Sequence, residues 1–93
     1  MNVEARFYSM LRFKLNSASI ELSFDQPISV RELLDRICSS FDYDVRADLL
    51  ENGGIKKGTI ILIDGKNVLH LDQLDTQIDQ DCVVSLFPPS GGG

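Results

Sequence analysis

Ninety-three residues set the scale of one domain with one modest core. Hydrophobic content of 43% and charged content of 25% belong to an ordinary globular chain. Nine Lys and Arg against fourteen Asp and Glu leave a net charge of −5, so no basic surface is on offer to nucleic-acid phosphates or an anionic bilayer, and the chain is expected to bind neither nucleic acid nor membrane.

No apolar run approaches the length of a membrane span. The opening Met1-Asn2-Val3-Glu4-Ala5-Arg6-Phe7 lacks the apolar centre of a secretory signal, and the expected location is the cytoplasm. Residues 3–8 alternate, with Val3, Ala5 and Phe7 on one side and Glu4, Arg6 and Tyr8 on the other, as in a half-buried strand. Met10 to Asn16 is mixed and reads as a loop closed by the turn signal Asn16-Ser17. Residues 19–24 alternate again, with Ile20, Leu22 and Phe24 inward, so the two strands form an antiparallel hairpin.

Ser29 stands three residues before Glu32, the spacing of a capping box. Val30, Leu33, Leu34, Ile37, Cys38 and Phe41 follow on one face of an amphipathic helix, with Arg31, Asp35, Arg36 and Ser39 on the wet face. Asp48-Leu49-Leu50-Glu51 suits a short helical turn ending at Asn52-Gly53-Gly54. Gly53 to Thr59 has the glycines and lysines of a phosphate-cradling loop, but Thr59 rather than Lys follows Gly58, and a strand rather than a helix comes next. Nucleotide binding is therefore not expected of this chain.

Thr59-Ile60-Ile61-Leu62-Ile63 is a continuous apolar run, expected to be a strand buried on both faces. Asp64-Gly65 is a tight-turn pair, and Lys66-Asn67-Val68-Leu69 returns as a short strand at a sheet edge. Leu71, Leu74 and Ile78 are placed to cover the open end of the core through a turn or short 3₁₀ segment. His70 has no second His or Cys nearby and reads as a surface or packing residue, and the two cysteines, Cys38 and Cys82, read as small buried hydrophobes. No metal site is expected.

The last strand, Cys82 to Phe87, turns Cys82, Val84 and Leu86 one way and Val83, Ser85 and Phe87 the other. Phe87 is then either an exposed docking anchor beside the tail or a cap over the core edge. Pro88 and Pro89 end the sheet ladder, because proline has no N–H to give it. Ser90, Gly91, Gly92 and Gly93 follow, a thin tip without bulky side chains and expected to be mobile. Such a tip can thread a narrow channel into another protein's active site, which makes the Gly93 carboxylate the candidate functional group. A glycine-rich end is also what an inert terminus looks like. The chain divides into a body over 1–87 and a tail over 88–93.

The order strand, strand, helix, irregular segment, strand, short strand, strand is that of an α+β, ubiquitin-like β-grasp fold: a mixed four- to five-stranded sheet packed on one main helix. The run Phe87-Pro88-Pro89-Ser90-Gly91-Gly92-Gly93 resembles the terminus of the small sulfur-carrier subunit of molybdopterin synthase. Val3 to Met10, the turn at Ile63-Asp64-Gly65-Lys66-Asn67, and Leu74-Asp75-Thr76 with Asp79-Gln80-Asp81 also look like that family. The small archaeal ubiquitin-like modifier proteins share the signature, as do the thiamine sulfur carrier and ubiquitin more loosely. Gly91 is a departure, a third glycine where the family often has a small side chain.

The resemblance implies a carrier and not an enzyme. An E1-like enzyme would spend ATP to adenylate the Gly93 carboxylate, and a persulfide sulfur donor would convert it to a thiocarboxylate. The carrier would then dock on the large subunit of molybdopterin synthase through Phe87, Pro88, Pro89, Ser90, Gly91 and Gly92 and deliver its sulfur for the molybdenum cofactor. No cofactor is expected to be bound stably. In the alternative the activated Gly93 joins lysines of target proteins by an isopeptide bond, and Lys14, Lys56, Lys57 and Lys66 become candidate acceptors for chains. A β-grasp interaction module with an inert tail is a third reading, which deletion of Gly92-Gly93 separates from the other two.

Overall fold

Val3, Ala5 and Phe7 turn inward from strand β1 (Asn2–Phe7) and are fully buried. The computed structural model of the chain describes residues 1–89. After β1 comes a helix, α1 (Ser9–Leu15), where the sequence suggested a loop. Two leucines four positions apart account for it: Leu11 and Leu15 lie on one helical face and are both buried. Asn16 then takes the left-handed conformation, φ 51°, that closes a helix. Met10 and Phe13 on the other face are exposed, Phe13 to 82%, so the apolar pattern of this segment points two ways at once. Strand β2 (Ser19–Ser23) returns antiparallel to β1, with Val3 opposite Leu22 and Ala5 opposite Ile20.

Strand β3 (Ile28–Ser29) leads directly into α2 (Val30–Phe41). The expected capping box is formed: the Glu32 amide donates to Ser29 Oγ at 3.1 Å, and the Ser29 amide donates to Glu32 Oε1 at 3.0 Å. Val30, Leu33, Leu34 and Ile37 are fully buried against the sheet, while Cys38 and Phe41 pack at its margin. Burying four such side chains stabilises the fold by about 6–12 kcal/mol before chain entropy is counted, so α2 is held by packing more than by propensity.

A one-turn helix α3 (Arg46–Leu49) comes next, where the helical turn was expected two residues later. Strands β4 (Leu50–Glu51) and β5 (Gly54–Ile55) then form a small hairpin. Its turn uses Asn52 and Gly53 at φ 53° and 79°, the left-handed pair that a two-residue hairpin favours. Strand β6 (Ile60–Ile63) is not buried on both faces as expected. Ile61 faces the core, but Ile60 is 42% exposed, because the helices cover one side of the sheet and leave the other to solvent.

Asp64-Gly65 turns β6 into β7 (Lys66–Asn67), which is shorter than expected and gives way to a 3₁₀ turn over Val68–His70. A second 3₁₀ turn spans Gln73–Asp75, and β8 (Gln77–Ile78) pairs with β3 through Ile28 and Ile78. Leu74 and Ile78 cover the end of the core as expected, whereas Leu71 is 45% exposed. The last strand, β9 (Cys82–Phe87), lies in the centre of the five-stranded sheet, whose order is β2-β1-β9-β6-β7. It runs parallel to β1 and antiparallel to β6. This is the mixed sheet on one main helix of a ubiquitin-like β-grasp.

Candidate functional site

The site is built where β9 leaves the sheet. Val84 and Leu86 point into the core and are fully buried, so the strand cannot slip by one residue without exposing them. That register turns Val83, Ser85 and Phe87 to the uncovered face. Phe87 lies opposite Ile60 on β6 and stacks on Tyr8, just past the end of β1, with ring centroids 4.2 Å apart and planes 10° apart. Phe87 is half-buried, with one face of its ring covered by Tyr8. Its partner ring comes from the outer face of the sheet, which is why the sequence, read strand by strand, did not supply it.

The Tyr8 amide also donates to the Leu86 carbonyl at 3.2 Å, which ties the end of β9 to the end of β1. Pro88 and Pro89 are half-buried as well. Pro89 lies over the turn at Gly58, where a methyl group built on the glycine would come within 3.3 Å of Pro89 Cβ. That turn is itself pinned: the Lys56 amide and the Thr59 hydroxyl both donate to the Leu49 carbonyl, at 2.9 and 3.1 Å.

The other end of β9 is held by carboxylates. The Val83 amide donates to Asp64 Oδ1 at 2.9 Å while the Asp64 amide donates to the Val83 carbonyl at 2.8 Å. Asp81 Oδ1 accepts from the Asn2 amide at 2.7 Å. Burial pushes the Cys82 thiol above its ordinary pKa, and the nearby charges of Asp64, Asp81 and Asp79 add to the effect. On the outer face Arg6 Nε donates to Glu4 Oε2 at 2.9 Å; this hydrogen bond holds the Glu4 carboxyl below its usual range and raises the guanidinium. Among the described residues no group of three or more His, Cys, Asp or Glu side chains is placed to hold a metal ion, and no helix is long and apolar enough to cross a membrane.

Residues 9–93 match the ThiS family, a match that extends through the final glycines. The chain belongs to the ThiS family. It is 32% identical to small archaeal modifier protein 3 of Haloferax volcanii over 93 residues, which covers the whole of both chains. In fold it is similar to the crystal structure of small archaeal modifier protein 1 from the same organism, with a TM-score of 0.80, 18% identity and full coverage of both chains. It also resembles a Pyrococcus furiosus protein described provisionally as subunit 1 of a molybdopterin converting factor. There the TM-score is 0.74 and the identity 19%, over 96% of this chain and 98% of that one. The chain is thus a ubiquitin-like member of a family of small carrier and modifier proteins.

Of the residues singled out from the sequence, the structure describes Phe87, Pro88 and Pro89 and brings all three to one end of the sheet. Ser90, Gly91, Gly92 and Gly93 lie outside the described residues. The lysines are scattered: Lys14 Nζ pairs with Asp48 at 2.8 Å, Lys56 Nζ donates to the Ala47 carbonyl at 3.1 Å, and Lys57 and Lys66 are exposed. Cys38 and Cys82 are both free thiols and half-buried. Tyr8, Ile60 and Gly58 escaped sequence reasoning as site residues. The alternation of β1 places Tyr8 on the outer face, but only the parallel pairing of β1 with β9 makes it a neighbour of Phe87.

Proposed function

We propose that the chain acts as a sulfur carrier through its C-terminal glycine. The observation that carries this reading is the course of β9, which runs from the buried centre of the sheet through Pro88 and Pro89 into Ser90-Gly91-Gly92-Gly93. The family match over the same residues supports it. A carboxylate is a poor electrophile, so an E1-like enzyme adenylates Gly93 with ATP and releases pyrophosphate. The outer sulfur of a persulfide donor displaces AMP to give an acyl disulfide, and a second thiol cleaves that disulfide, being itself oxidised to a disulfide with the donor, to release the thiocarboxylate. The likeness to a molybdopterin converting factor subunit supports a pterin precursor of the molybdenum cofactor as the sulfur acceptor, reached by docking on the large synthase subunit. In this scheme the body does no acid–base chemistry. It supplies a rigid handle, with the Tyr8–Phe87 pair as the aromatic surface nearest the tail.

The whole-length identity to small archaeal modifier protein 3 favours a second fate for the same activated glycine. A lysine amine of a target protein attacks the activated carbonyl and forms an isopeptide bond. Lys57 and Lys66, which are exposed, are then the better placed acceptors for chains.

The test is the intact mass of the protein recovered from its own cells with nothing fused to Gly93. One oxygen-to-sulfur exchange at the C-terminus is the expected result. Recovery solely as branched Gly-Gly remnants on other proteins' lysines would replace sulfur carriage by modification. A carboxylate that stays unchanged after ATP and the E1-like enzyme are added would reject both.

A further inference from the structure

The turn that carries Gly58 has no part in the chemistry above, yet it touches the tail. Gly58 has φ +91°, a conformation that L side chains rarely adopt, and Pro89 packs so close to it that a Cβ there would lie 3.3 Å from Pro89 Cβ and push the proline away by a few tenths of an ångström. Gly53 and Gly65 have similar backbone angles, φ +79° and +86°, but a Cβ added at either would meet no atom within 4 Å. Left-handed geometry alone therefore explains those two glycines, whereas Gly58 answers a second demand. The turn is also not free to move aside. Lys56 and Thr59 both bond to the Leu49 carbonyl, the Thr59 side chain is buried, and the Thr59 amide donates to the Lys56 carbonyl at 3.0 Å.

We propose that Gly58 is a positioning residue for the activated terminus: by seating Pro89 it extends the rigid body two residues beyond the sheet and fixes the direction in which the last four residues leave. The inference rests on the sulfur-carrier reading above and deepens it. Its size follows from chain geometry. From Phe87 six residues reach about 20–22 Å, but from a seated Pro89 four residues reach about 13–14 Å. Effective concentration falls roughly as the −3/2 power of the free length, so shortening it from six residues to four raises that of the terminal carboxylate at a docked active site about twofold. Docking of the body is untouched, so the effect falls on kcat and not on KM.

The experiment uses the full chain and has two readouts. In the unmodified protein, NMR should show a nuclear Overhauser contact between the Gly58 α protons and Pro89; its absence overturns the seat itself. In ATP–pyrophosphate exchange with the E1-like enzyme of the same cells, Gly58→Ala should lower kcat by up to about twofold with KM unchanged. Gly53→Ala, which shares the backbone penalty but meets nothing, should leave kcat unaltered. In a Pro89→Gly chain, already unseated and with its turn intact, adding Gly58→Ala should change kcat no further. Equal kcat for Gly58→Ala and Gly53→Ala overturns the positioning role, as does a Gly58→Ala loss that persists undiminished in the Pro89→Gly chain. No exchange with the unmodified chain rejects the sulfur-carrier reading and the role of Gly58 with it, while the nuclear Overhauser contact still decides whether Pro89 is seated.

Discussion

Replacing the two stacked rings at the root of the tail, singly and together, measures how firmly that root is held. Tyr8 and Phe87 lie 4.2 Å apart and nearly parallel, and such pairs contribute about 0.5–1.5 kcal/mol beyond the area they bury. Leucine is the suitable replacement, because it keeps much of the apolar bulk and removes the ring. Tyr8→Leu and Phe87→Leu should each destabilise the fold by about 1–2 kcal/mol, as the pair term and part of the half-buried surface are lost together. The double variant should fall short of the sum by about 0.5–1.5 kcal/mol, the coupling energy of the pair. Guanidinium denaturation with a shared slope reads these differences, and a thermal midpoint should move about 4–8 °C per kcal/mol for a chain of this size. Additivity within the roughly 0.3–0.5 kcal/mol scatter of independent sites would refute the reasoning. Phe87 would then be a ring energetically uncoupled from Tyr8.

Leu11→Ala should cost about 2–5 kcal/mol, because α1 is pinned to the core by Leu11 and Leu15, whereas Phe13→Ala on the same helix should stay within about 0.5 kcal/mol; equal effects in a denaturation series would show that α1 is not packed as described. Ser29→Ala removes the hydroxyl that caps α2 and should lower stability by about 1 kcal/mol, read by the same titration. Cys82 should alkylate more slowly with iodoacetamide in the folded chain than in urea, because burial and three nearby aspartates hold its thiol above the ordinary pKa and the thiolate is the reactive form. The sign for stability follows: folding favours the neutral thiol, so this contribution is full below the pKa of the unfolded thiol and is lost as pH rises through the folded value. A folded-state rate equal to that in urea at pH 8–9 would contradict the burial assigned to this group.

What the sequence made legible was whatever a single segment could specify alone. The capping box and complete apolar stripe of α2 needed no partner to be recognised, nor did the alternation of β1 and β9. The misses share a cause, which is that tertiary placement chose between two local patterns. In α1, Leu11, Phe13 and Leu15 read with a period of two as well as Leu11 and Leu15 with a period of four, and contact with the core decided for the latter. Asn52-Gly53 signals a helix end and a hairpin turn equally well, and the pairing of β4 with β5 made it a turn. The apolar run over β6 could have served a strand covered on both sides, but no second layer exists among the described residues to cover Ile60. At the candidate site the linear order from Cys82 to Pro89 was plain. Tyr8 and Gly58 were not, because each reaches the tail from a distant segment.

The pairing of β1 with β9 also governs when the molecule can come into being. Asn2 and Asp81, joined by a hydrogen bond at the rim of that pairing, are 79 positions apart, so the sheet closes through a contact between nearly opposite ends of the described chain. Pairing of this kind costs loop-closure entropy before it is rewarded, so a mixed α/β sheet closed in this way folds more slowly than a helical bundle of the same size. During synthesis the β1–β2 and β6–β7 hairpins emerge without the strand that joins them, and an isolated two-stranded hairpin is marginal in water. A copy that stalls or is cut before Cys82 therefore has no sheet to complete. Any partner that recognises the folded body therefore meets only chains whose final strand has been made in full.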